Sequence, residues 1–175
     1  MKYPTPEQIK EISEVLDCGF RCFWHKTNGE LLIIPDTVKN YGMDMEAWEE
    51  DMDKLDENFT DYAEINQMES GDSFEIMEEF VETLPNSNKL KARLIGVLGR
   101  NKPFRNFKNV IDDSGDYRDE WFAFKDLKMQ EWVIKRLDRI IDMGNTDFID
   151  DDEITETHND DDDDDDPETH HRASL

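Results

Sequence analysis

No apolar run in the 175-residue sequence approaches the roughly 18–20 residues needed to cross a bilayer. The first six residues, Met1-Lys2-Tyr3-Pro4-Thr5-Pro6, have no apolar h-region, so no secretory signal is expected. Two cysteines, Cys18 and Cys22, are too few for a disulfide scaffold, and a cytoplasmic location follows as the expectation. Of four histidines, only His25 lies outside the C-terminal forty residues, which leaves little for a nucleophile–histidine pair. No Gly-x-x-x-x-Gly-Lys run offers a phosphate cradle. Basic residues are scarce: 20 Lys and Arg stand against 45 Asp and Glu, a formal net charge of -25. A nucleic-acid binder is ordinarily basic overall, and this chain is the reverse.

The acid is unevenly spread. Residues 145–175 hold 14 acids and one arginine, with Asp160–Asp166 an unbroken run of aspartates. Like charges so close repel, and no apolar residues offset the entropy of ordering, so this tail is expected to be disordered. Residues 1–88 carry 22 acids and 6 bases, whereas residues 89–139 carry 13 bases and 8 acids. The chain therefore divides into an acidic front, a mildly basic back and a strongly acidic tail. The division predicts one folded domain over 1–144 followed by an Asp-rich segment over 145–175.

Local patterns predict an α+β domain, mostly helical, with two or three antiparallel strands near the N-terminus. Thr5-Pro6-Glu7-Gln8 is a capping box with proline at the first helical position, and Ile9, Ile12 and Leu16 follow at helical spacing. Phe20, Cys22 and Trp24 alternate with Arg21, Phe23 and His25, and Asn28-Gly29 predicts a two-residue type I′ hairpin turn before Leu31–Ile34. Trp48, Met52, Leu55 and Phe59 predict one helical stripe, with Asp44 as its cap. Ala63 and Ile65 suggest a third strand. Helical stripes recur at Met77–Leu84, Leu90–Leu98, Phe104–Ile111 and Met129–Ile141, with Gly144 as the final cap. The expected core includes Ile12, Leu16, Phe20, Cys22, Trp24, Ile33, Trp48, Phe80, Leu94, Phe107, Trp121, Trp132 and Leu137.

Lys102-Pro103-Phe104-Arg105-Asn106-Phe107-Lys108, Ile111-Asp112, Trp121-Phe122-Ala123-Phe124-Lys125 and Glu131-Trp132 form a specific set of motifs. With Leu16-Asp17-Cys18-Gly19, Phe74 and Ile76-Met77-Glu78-Glu79-Phe80-Val81, they give the chain its likeness to a known family. From Gln8 to Ile141 it resembles a bacterial family of small soluble proteins, uncharacterised protein family 0158. The resemblance implies no established activity for any residue here.

Candidate chemistry is sparse. Cys18, Cys22 and His25 lack a fourth zinc ligand at suitable spacing, and strand alternation sends Cys22 and His25 to opposite faces. Asp112-Asp113-Ser114-Gly115-Asp116 fails as a calcium loop because Tyr117 stands where glycine is required. Gly96-Val97-Leu98-Gly99 reads as a helix end before it reads as a backbone-gripping loop. No catalytic residue, metal ligand or cofactor is named. Arg105, Lys108, Arg118 and Lys125, interleaved with Phe104, Phe107, Tyr117, Trp121 and Phe124, are the candidate anion or nucleic-acid site. The bland alternative places the aromatics in the core and pairs the bases with Asp112, Asp113, Asp116 and Asp126. Two functions follow as expectations: a non-catalytic cytoplasmic protein with an acidic surface that engages a protein partner and no membrane, and a module binding nucleic acid or anions through segment 100–125, masked by the acidic tail.

Overall fold

A computed structural model describes residues 2–146, the last four by backbone alone. Asp160–Asp166 and the expected disorder of the tail lie outside the described residues. The fold is α+β, with six α-helices and one three-stranded antiparallel sheet among the described residues.

Helix α1 spans Pro6–Asp17. Its capping box is complete: Gln8 N–H donates to Thr5 Oγ1 at 3.3 Å, and Thr5 N–H donates to Gln8 Oε1 at 3.0 Å. Strand β1, Phe20–His25, pairs on one side with β2, Leu31–Pro35, and on the other with β3, Tyr62–Ile65. The order β2-β1-β3 makes β1 central, with Cys22 opposite Ile33 and Ile65.

The hairpin turn differs from the expected two-residue form. His25 and Glu30 flank a four-residue loop, with His25 N–H donating to Glu30 O at 2.8 Å and Gly29 N–H to His25 O at 3.1 Å. Only Gly29 takes a left-handed conformation there, at φ +75°. Asn28 instead uses its side chain: Oδ1 accepts the Glu30 N–H at 2.8 Å, the local bond that makes asparagine a turn residue without positive φ.

Both faces of the sheet are covered, where alternation in β1 suggested one. Cys22, Trp24 and Ile65 pack against Ile9, Ile12 and Leu16 of α1 and Val133 and Leu137 of the last helix. On the opposite face Phe23, Leu32, Ile34 and Tyr62 pack against Leu55 of α2, Glu49–Glu57. Phe59 leaves the expected stripe. The chain exits α2 at Asn58 into a 3-10 turn, the helical phase is lost, and Phe59 is exposed. Trp48, Phe20, Ile33 and Trp132 are half-buried and fringe the core.

A separate core joins the remaining helices: α3, Ser70–Thr83; α4, Lys89–Leu98; α5, Pro103–Asp112; and α6, Asp116–Thr146. Its centre is aromatic, with Trp121 edge-on to Phe80 at 5.2 Å and to Phe107 at 4.8 Å between ring centroids. The run from Tyr117 to Phe124 is part of α6 itself, and α6 continues past Gly144, the expected cap. Lys91 is the one lysine buried among the described residues. Its Nζ donates to Leu84 O at 3.0 Å and pairs with Glu82 at 3.5 Å, placing a cation at the C-terminal end of α3.

Glu30 ties the hairpin to α2. One carboxylate oxygen pairs with Lys54 and the other accepts the Tyr62 hydroxyl at 3.0 Å. The Lys54 hydrogen bond, with help from Tyr62, holds the Glu30 carboxyl below the usual carboxylate range. A carboxyl whose pKa is lower folded than unfolded contributes stability above its unfolded pKa, about 4.3. That contribution is lost as pH falls through the folded value. Glu30→Gln should therefore lower the urea midpoint at pH 6, and its difference from the parent should shrink as pH falls through the acid range. A constant difference across that range would contradict the assignment.

Candidate anion-binding face and cavity

Between Leu84 and Ile111 the sequence has seven basic residues and no acid. This stretch is α4, its connection and α5, and the two helices pack against each other. Lys91 is consumed by Glu82. The other six, Lys89, Arg93, Arg100, Lys102, Arg105 and Lys108, are exposed and form no ion pair with described residues. The connection ends at Lys102, whose φ of +60° is left-handed, and Pro103 then opens α5 with its fixed φ.

The four candidate bases divide into two pairs. Arg105 and Lys108 lie on α5 as part of this unpaired set. Arg118 is engaged instead. Its Nε donates to Asp112 Oδ1 at 3.4 Å, and its guanidinium lies 4.8 Å from the Phe122 ring centre. Lys125 Nζ donates to both Asp17 oxygens at 2.6 Å, joining α6 to the end of α1. The aromatics divide as well. Phe107 and Trp121 are buried, whereas Phe104 and Phe122 are exposed. Tyr117 is half-buried, and its hydroxyl accepts from Asn88 Nδ2 at 2.9 Å. Phe124 is also half-buried, with Lys128 Nζ 5.6 Å from its ring centre.

Lys108 and Lys125 meet at a cavity of 630 Å³ between the end of α1, α3, α5 and α6. Phe104 and Phe122 also line it, together with Lys39 and Asn40 from the loop after β2. Its floor is apolar, with Leu16 from the sheet-side core and Ile76, Phe107, Ile111 and Trp121 from the helical core. The cavity thus lies where two separately packed cores adjoin without merging.

Cys18 is exposed in the cavity wall, and Cys22 is buried in β1 with its thiol pushed up to about 12 by desolvation. His25 Nδ1 accepts the N–H groups of Thr27 and Asn28 at 3.2 and 3.3 Å. The three residues are dispersed, and no group of three metal-ligating side chains converges among the described residues. No helix among the described residues is long and apolar enough to cross a membrane. The turn at 112–116 is a helix connection in which Gly115 is left-handed at φ +66°.

Lys39 and Asp17 carry no local spacing that marks them as site residues. The acid-free stretch from Leu84 to Ile111, by contrast, is a signal that a simple count reveals.

Fold and cavity define a class: a mostly helical α+β protein built around one short antiparallel sheet, with charge sorted between its front and back. The chain belongs to the Uncharacterised protein family (UPF0158), whose sequence profile matches residues 9–155. No curated protein and no solved structure matches it.

Proposed function

We propose that the protein is a non-catalytic cytoplasmic binding protein whose working surface is the α4–α5 pair and whose partner is single-stranded nucleic acid. The observation that carries this reading is the acid-free stretch with its six exposed cations. Unpaired cations cost nothing to desolvate from an existing ion pair when a phosphate arrives, whereas Arg118 and Lys125 would first have to leave Asp112 and Asp17. Exposed Phe104 supplies an aromatic face on which a base can stack. The free thiols Cys18 and Cys22 suit a reducing compartment.

Fluorescence anisotropy with a labelled single-stranded oligonucleotide tests the reading. Binding should appear at low salt and weaken as salt is added, with a log–log slope of about -0.7 per phosphate contacted. Arg105→Glu with Lys108→Glu should reduce affinity at least about tenfold and flatten that slope. Absence of binding at the lowest salt would refute it.

A protein partner is the second reading, favoured by Tyr41 and Val38, which are 95% and 86% exposed and precede the acidic segment Glu46–Glu57. A partner of that face would carry basic and apolar residues. Charge reversal at Glu49 and Glu50 would abolish such an interaction and leave oligonucleotide binding intact.

A further inference from the structure

We propose that the 630 Å³ cavity between α1, α3, α5 and α6 is a binding site for a small molecule with an anionic head and an apolar body. Its volume lies within the roughly 300–1,000 Å³ of ordinary ligand sites. Five charged side chains line it: Asp17, Lys39, Lys108, Asp112 and Lys125. Both acids are neutralised, Asp17 by Lys125 at 2.6 Å and Asp112 by Arg118 at 3.4 Å. Lys39 and Lys108 have no ion-pair partner among the described residues, so two positive charges at the wall are uncompensated.

The neutral polar side chains each spend a donor inside the protein. Asn40 Nδ2 donates to Gly19 O at 3.0 Å, Gln67 Nε2 to Phe20 O at 2.9 Å, and Ser73 Oγ to Glu69 O at 3.1 Å. The uncompensated positive charges open to a ligand head are the two ammonium groups of Lys39 and Lys108, and what they recognise is a carboxylate, sulfonate or phosphate. The floor of Leu16, Ile76, Phe107, Ile111, Trp121 and Met129 offers a ligand body mainly apolar contact, the Trp121 indole carrying the one N–H among those side chains. A polynucleotide backbone has no such body. This site is distinct in chemistry from the α4–α5 surface, although Lys108 belongs to both.

The test uses the full chain and two dyes with the same aromatic body. One is 1-anilinonaphthalene-8-sulfonate, which carries an anion, and the other is uncharged N-phenyl-1-naphthylamine. Fluorescence titration should give a single site that prefers the sulfonate by about tenfold, a difference of about 1.4 kcal/mol. Lys39→Gln with Lys108→Gln should remove that preference while leaving affinity for the neutral dye unchanged. Both lysines are exposed, so these changes do not threaten the fold.

Cys18 supplies a second readout. It is exposed in the wall, while Cys22 is buried, so a bulky maleimide attaches to Cys18 alone. Attachment should abolish binding of the sulfonate dye, and bound dye should slow attachment. Equal affinity for the two dyes, an unchanged preference in the lysine variant, or dye binding indifferent to the maleimide would each overturn the proposal. Arg93→Glu with Arg100→Glu separates it from nucleic-acid binding, because neither arginine lines the cavity. Those changes should weaken the oligonucleotide and leave the dye unaffected. Loss of dye binding in that variant would count against the cavity as a separate site.

Discussion

Trp24→Ala should lower the stability of the fold by about 3–5 kcal/mol, the usual loss for a fully buried tryptophan. A domain of this size is stable by only about 5–15 kcal/mol, so much of the folded population at moderate urea would be lost. Trp24 has no exposed surface and stands in the central strand, facing Leu31 on one side and Ala63 on the other. Its indole fills the space between α1, α6 and the sheet, and its Nε1 donates to Lys2 O at 2.8 Å. Alanine would leave both a void and an acceptor without its donor, and both effects have the same sign. Urea unfolding followed by circular dichroism measures the change. Trp48→Ala is the control, since Trp48 is only half-buried, and should cost less than about 2 kcal/mol. A loss below 1 kcal/mol at Trp24 would contradict its place at the centre of the sheet-side core.

Replacing Asp160–Asp166 by asparagine should raise affinity for a single-stranded oligonucleotide by about 10- to 100-fold at low salt. This rests on the α4–α5 surface being the binding surface. Seven aspartates then compete with the oligonucleotide for six exposed cations, and the tether makes that competition intramolecular. Reach permits the competition. From Asp116 to Thr146, α6 rises about 45 Å at 1.5 Å per residue. The fourteen residues from Asp147 to Asp160 span at most about 50 Å. The substitution keeps chain length, so it removes charge without removing bulk. The gain should shrink as salt approaches physiological strength, where the Debye length falls to about 8 Å. Unchanged affinity at low salt would show that the aspartates do not cover the cations.

What sequence conveyed depended on whether a feature was local. The Thr5 cap, the β1–β2 hairpin, Pro103 at the start of α5 and the helical stripes all follow from residues within a few positions of one another. Alternation puts Phe23 on the face opposite Cys22 and Trp24, but it does not say whether that second face is covered. It is covered, since β3 pairs with β1 and α2 lies over that side. Phe59 was misplaced because periodicity cannot register where a helix stops. At the site, the same distinction holds. Arg118 pairs with Asp112 six residues away, one of the four acids that local proximity offers the bases, whereas Lys125 finds Asp17 across 108 residues. The cavity is equally nonlocal, arising from two cores that each satisfy their own helical stripes and leave a gap between them.

The separation of those cores also bears on motion. β1 is bonded on both edges and packed on both faces, so its amides exchange with solvent only when most of the molecule opens. The α4–α5 pair packs chiefly on α3 and α6, and its helical hydrogen bonds do not depend on the strands. Its exchange can therefore be read separately from that of the sheet. The cations ride on a unit packed apart from the strands, and a polyanion bound there would register as slowed exchange across Lys89–Asp112 with β1 unchanged.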